Sequence, residues 1–161
     1  MSPTKTLEAM RAKRDQQRDG GFTLIELLVV VVIIGILVAI AIPLYLQYQN
    51  GAKNKSAESD LRGAISTVET YYGNNNNAYP TAAAVSTGNS LTLGTLVAKT
   101  GDGNTLAYVP NSTSNPTSYK LCSTNASGKH VFTYDSANGG SVKDEGEGTM
   151  ANATCVFTPA A

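Results

Sequence analysis

A single carboxylate stands at the mouth of the one long apolar run in this chain. Glu26 lies five residues past Gly21, and Leu27 to Ile42 carries no charge. A carboxylate in hydrocarbon costs several kcal/mol unless it is paired. The chemistry it can do is recognition: a cut after Gly21 would leave a positively charged α-amino group on Phe22, and an amine and a carboxylate can pair between neighbouring chains.

Elsewhere the groups that could catalyse are sparse. The single histidine, His130, falls in an alternating strand pattern with no partner motif, so it reads as a surface or packed residue. Cys122 and Cys155 are too far apart in sequence for a CxxC redox or zinc site. Gly101-Asp102-Gly103 lacks the rest of a dinucleotide or phosphate-binding loop. Asp144-Glu145-Gly146-Glu147 offers clustered oxygens to calcium, but the spacing matches no calcium loop, and a solvated turn is the expectation. The chain is expected to be a substrate of enzymes rather than an enzyme, with no cofactor and no metal.

Four segments would position these groups. They are a polar leader (1–21), an apolar helix (22–46), an amphipathic continuation (47–73) and a Gly/Ser/Thr/Asn-rich region (74–161). The apolar segment could span ~30 Å as helix. In the continuation, Ala57, Leu61, Ala64, Ile65, Val68 and Tyr72 recur at three- and four-residue spacing and mark one apolar face. Lys55, Glu58 and Arg62 can pair on the other. Gly73 followed by Asn74 to Asn77 is a stop signal. Beyond it, strands are expected at Leu91–Ala98, Thr105–Val109, Thr117–Cys122, Lys129–Tyr134 and Ala153–Phe157. Hairpin turns are expected at Asn125–Gly128 and Asn138–Gly140. The fold class is α+β, a long N-terminal helix packed on a small antiparallel sheet.

Pro43 cannot donate to the carbonyl of Ala39, and Gly35 costs ~1 kcal/mol in a helix. The stretch between them is a place for kinking or local unwinding. Tyr45, Tyr48, Tyr71 and Tyr72 fit interfacial anchoring and core packing. Three Asn-x-Ser/Thr tripeptides, at Asn111, Asn125 and Asn152, are expected by chance in so polar a region.

Residues 20–46, GGFTLIELLVVVVIIGILVAIAIPLYL, resemble the type III signal sequence of type IV pilins, competence pilins and type II secretion pseudopilins. The resemblance implies cleavage after Gly21 by a prepilin peptidase, methylation of the new N-terminus at Phe22, and an assembly role for Glu26 with Thr23. It also maps the helix-weakening positions to Gly35 and Pro43, and implies the type IV pilin fold. The expected partners are other copies of the chain in a filament, the prepilin peptidase, a pilus assembly ATPase with its platform protein, and the membrane before assembly. DNA would be met only through the assembled filament.

The leader carries Lys5, Arg11, Lys13, Arg14 and Arg18 against Glu8, Asp15 and Asp19, so it is expected on the cytoplasmic side of a single-pass precursor. The remaining seven Lys/Arg and nine Asp/Glu leave no bulk nucleic-acid surface. The second half would then lie outside, where two cysteines usually pair, and a Cys122–Cys155 bridge would contribute roughly 3–4 kcal/mol. Two buried thiols are the alternative. The functional expectation is a pilin used for adhesion, motility or DNA uptake. The alternatives are a type II secretion pseudopilin and a signal-anchored binding domain that never polymerises.

Overall fold

A computed structural model describes residues 21–151 and 154–160. Most of the expected leader and residues 152–153, which hold part of the third tripeptide and the start of the last expected strand, lie outside them.

Helix α1 runs unbroken from Leu24 to Asn74, through Gly35 and with Pro43 inside it. Hydrocarbon would favour this, because a helix satisfies its own backbone where no water can. At the C-terminal end Asn75 Nδ2 donates to the Tyr71 carbonyl at 2.8 Å. Asn76 and Asn77 then take φ of 53° and 57°, the left-handed conformation Asn tolerates past a helix end.

The chain divides into two compact units at Pro43/Leu44. In the first, the side chains of the apolar run are exposed throughout. The second contains the later turns of α1 and all the strands. These are β1 (Ala84–Val85), β2 (Ser90–Leu93), β3 (Leu96–Lys99), β4 (Asn104–Pro110), β5 (Tyr119–Asn125), β6 (His130–Asp135), β7 (Lys143–Ala151) and β8 (Val156–Pro159). Strands β1-β4-β5-β6-β7-β8 form one antiparallel sheet, and β2-β3 form a separate hairpin.

Ala57, Leu61, Ala64 and Val68 of α1 are fully buried. They meet Leu106 and Tyr108 of β4, Tyr119 and Leu121 of β5, Phe132 of β6, and Leu91, Leu93 and Ala98 of the hairpin. Each of the Leu, Val and Phe side chains contributes about 1.5–3 kcal/mol on burial, and each Ala methyl roughly 0.8 kcal/mol. Along β5, Tyr119, Leu121 and Ser123 face the helix, so alternation turns Cys122 to the opposite face. All of Leu121, Cys122 and Ser123 are buried, which marks β5 as covered on both sides.

Three strand expectations and one turn expectation need correction. Leu91–Ala98 is not one strand but a hairpin, folded at Gly94 with φ of 60°. The strand expected at Thr117–Cys122 starts at Tyr119 and continues to Asn125, because its pairing partner β4 extends to Asn104. The last strand begins at Val156 rather than Ala153. Just before it, the backbone N atoms of Thr154 and Cys155 both donate to the Ala151 carbonyl. The acidic run at 144–147 is not a solvated turn: it lies in β7, paired with β6 across a bulge. Gly146, with φ of 92°, supplies the positive φ on the β7 side of this bulge.

Candidate functional site

Thr23 caps the helix. Its Oγ1 accepts from the Glu26 backbone N at 3.3 Å, while its own backbone N and hydroxyl donate to Glu26 Oε2 at 2.9 and 2.8 Å. This reciprocal arrangement is a capping box, and Thr-x-x-Glu is its sequence signature. The signature stands in the sequence at Thr23-Leu24-Ile25-Glu26, but its local role was not among the expectations. One carboxylate oxygen of Glu26 is thus bonded within its own chain. Among the described residues both side-chain bonds fall on Oε2, leaving Oε1 for another donor. Phe22, immediately before the cap, is exposed.

From Leu27 onward the exposed apolar side chains belong to a helix long and apolar enough to cross a membrane, the one such helix among the described residues. A Cβ added at Gly35 would meet no atom within 4 Å, so the glycine is not required by packing inside this chain.

In the second unit, polar side chains tie α1 to the sheet at two places besides the Asn54 bond to the His130 backbone. At one, Asp60 Oδ2 accepts from the Gly101 backbone N at 2.7 Å, and Ser56 Oγ accepts from Asn104 Nδ2 at 2.9 Å. Asn104 Oδ1 in turn accepts from Asn125 Nδ2 at 2.6 Å. Asn125 Oδ1 also accepts from the Ser127 and Gly128 backbone, closing the β5–β6 turn. Asn125 is buried and fully engaged, so its tripeptide is not a surface acceptor. At the other place Tyr119 donates to Glu69 Oε1 at 2.7 Å. Tyr119 also lies among Tyr79, Tyr108 and Tyr134, with ring centroids 5.0 to 5.6 Å away. Burial first, then the bond to the Glu69 carboxylate, pushes the Tyr119 hydroxyl far above the usual tyrosine range.

Cys122 and Cys155 form a disulfide with Cα atoms 5.5 Å apart. Cys155 sits in the β7–β8 turn, one residue before β8, rather than within the last strand. The bridge therefore pins that turn to the sheet face opposite α1. Beside it lies a cavity of about 480 Å³ lined by Lys120, Thr133, Asp135, Asn138, Glu145 and Phe157, among others.

The remaining candidates are structural. His130 Nδ1 lies 3.0 Å from Asp144 Oδ1, and its backbone N donates to Asn54 Oδ1. Glu145 accepts from Thr133 Oγ1 at 2.8 Å and pairs with Lys143 at 2.7 Å. Those bonds, Lys143 foremost, hold its carboxyl below the usual range. Among the described residues no group of three or more His, Cys, Asp or Glu side chains is placed to hold a metal ion.

These features define an α+β protein whose membrane-length apolar helix begins at a capped glutamate. The family profile for the prokaryotic N-terminal methylation motif matches residues 16–42. The chain is 43% identical over 63 residues to the type IV major pilin protein PilA of Myxococcus xanthus, covering 39% of this chain and 29% of that protein. It is 42% identical over 65 residues to the type II secretion system core protein G of Pseudomonas aeruginosa, covering 40% and 45%. It is 46% identical over 54 residues to the type IV major pilin protein PilE1 of Neisseria gonorrhoeae, covering 34% and 33%. The chain thus carries a type IV pilin signal and is homologous to pilins and a pseudopilin over less than half the length of each. No solved structure matches.

Proposed function

We propose that the chain is the subunit of a type IV pilus-like surface filament. The observation that carries this reading is the placement of Glu26: an acid held by Thr23 at the first turn of a bare apolar helix, one turn after the Gly21-Phe22 junction. In this reading the precursor sits in the cytoplasmic membrane with residues 1–21 on the cytoplasmic side. Prepilin peptidase cuts after Gly21 and methylates Phe22. Packing of neighbouring helices covers Leu27–Ile42 without exposing them to water. The incoming Phe22 amine meets Glu26 Oε1, and Thr23 keeps Oε2. An assembly ATPase and its platform protein drive polymerisation, and local loosening between Gly35 and Pro43 belongs to the assembled state. Adhesion, motility or DNA uptake are then properties of the filament.

The similarity to core protein G supports a second reading, an envelope-confined pseudopilus subunit. Intact mass spectrometry of filaments sheared from cells tests both. Abundant chain beginning at N-methylated Phe22 is the expected result. The same chain confined to the envelope favours the pseudopilin, and an uncut chain retained in the membrane refutes assembly by this route.

A further inference from the structure

The sequence contains two Asn-Gly pairs, Asn50-Gly51 and Asn138-Gly139. We propose that the fold makes Asn138 a site of spontaneous deamidation and protects Asn50. Conversion at Asn138 adds a carboxylate beside Asp135 at the rim of the cavity next to the disulfide.

The reaction needs only water and a base. The Gly139 backbone nitrogen loses its proton to the base and attacks Cγ of Asn138. The N–Cγ bond forms, the Cγ–Nδ2 bond breaks, and Nδ2 leaves as ammonia with a proton from water. Water then opens the five-membered imide at either carbonyl, giving a carboxylate in the normal or the iso linkage. The balance is one water consumed and one ammonia released, with no change of oxidation state. Glycine as the following residue favours the attack because it has no Cβ to shield the nitrogen and turns freely about its backbone.

The two sites differ in what must open. Asn50 and Gly51 lie inside α1, where the ladder of backbone bonds fixes the dihedrals that the attack has to change. Asn138 is the exposed last residue of a single 3-10 turn, Ser136–Asn138. Gly139 and Gly140 follow with φ of 86° and 72°, and residues 140–142 carry no regular structure. One short turn opens far more cheaply than the middle of a long helix.

The surroundings give the change a consequence. Asn138 Nδ2 donates to Asp135 Oδ2 at 3.0 Å, and Asp135 Oδ1 caps the same turn through the Ala137 backbone N. Replacing the amide removes that donor and sets two carboxylates against each other. Lys120 Nζ lies 3.7 Å from Asp135 Oδ2 and is one cation at hand. Converted subunits therefore carry one more negative charge at the cavity rim and a weakened β6–β7 connection.

The test uses the full-length chain in detergent micelles, incubated at mildly alkaline pH with and without urea, then digested and mapped by mass spectrometry. The peptide from His130 to Lys143 reports Asn138, and the peptide ending at Lys53 reports Asn50. In the folded protein the amide-to-carboxylate mass shift should accumulate at Asn138 more than about tenfold ahead of Asn50, the factor that 1.4 kcal/mol of extra opening cost at Asn50 supplies. In urea the two should convert alike, and the Asn138→Gln variant should show no shift at that peptide. Equal conversion in the folded protein, or an Asn138 that converts only in urea, overturns the proposal.

Discussion

Removing the bridge between Cys122 and Cys155 should weaken the second unit by an amount that the loop it closes sets. The two residues are 33 apart in sequence. On the chain-entropy estimate, closing a loop of that length contributes about 3.7 kcal/mol. The bridge joins β5 to the turn before β8, and since β6 and β7 separate the two in pairing order while the Cα atoms are 5.5 Å apart, it holds that turn back over the face of the sheet. Among the described residues β8 pairs only with β7, through four residue pairs, with the Ala160 bond to the Glu147 carbonyl beside them. The Cys122→Ala/Cys155→Ala variant should melt about 15 °C lower, taking about 4 °C per kcal/mol for a unit of this size. Near-ultraviolet dichroism of the tyrosine cluster is the signal to follow, since the long helix dominates the far ultraviolet. Hydrogen exchange should show β8 and the end of β7 losing protection before β4 and β5. A melting temperature within a few degrees of wild type, or uniform loss of protection, would refute both the magnitude and the role of the bridge as a pin on one sheet edge.

At the tyrosine cluster, Tyr119→Phe leaves only the exposed Glu69 carboxylate without its bond and should cost about 1 kcal/mol. Glu69→Leu strands a buried hydroxyl and should cost about 1–3 kcal/mol; chemical denaturation that ranks them the other way would reject this asymmetry. Because the Glu145 carboxyl is depressed by Lys143 and Thr133, its stabilisation is present above the ordinary carboxylate value of about 4.3 and is lost as pH falls through the lower folded value. The acid limb of melting temperature against pH should accordingly be shallower in Glu145→Gln, and identical limbs would remove Glu145 from the account. At the helix start, Glu26→Gln keeps an oxygen acceptor for Thr23 but no charge, while Glu26→Ala loses both. Membrane insertion should survive in each and filament yield should collapse in each, so wild-type yield from the Gln variant would sink the amine–carboxylate pairing.

Long-period features were legible in the sequence, and short ones were set by neighbours. The buried face Ala57, Leu61, Ala64 and Val68 followed from helical spacing, and the stop after Gly73 followed from the asparagines. Strand β7 was illegible because Lys-Asp-Glu-Gly-Glu-Gly has almost no strand preference of its own. It forms because β6 and β8 supply ladder partners, and because Thr133, Lys143 and His130 bond its carboxylates. The hairpin at Gly94 was hidden inside an apolar run that reads as one strand, where a single glycine is the only break. The capping box was the reverse case. Its four-residue signature, Thr23-Leu24-Ile25-Glu26, is present and local, and it pairs the two residues within one chain.

The capping box bears on how a charge can be kept at the edge of a membrane. If Glu26 depended wholly on a neighbouring chain, each unassembled subunit would bear the full penalty of a bare carboxylate, several kcal/mol, and would be held back from the bilayer. Two donors from Thr23 lower that penalty in the single subunit, so waiting in the membrane becomes tolerable. The same bonds leave the negative charge uncompensated, since neither donor is a cation. What an arriving Phe22 amine would add is therefore neutralisation rather than rescue of a bare group. In the proposed filament this would divide the labour between two residues: Thr23 would make the precursor tolerable as a monomer, and the charge on Glu26 would make assembly selective for a neighbour already cut after Gly21.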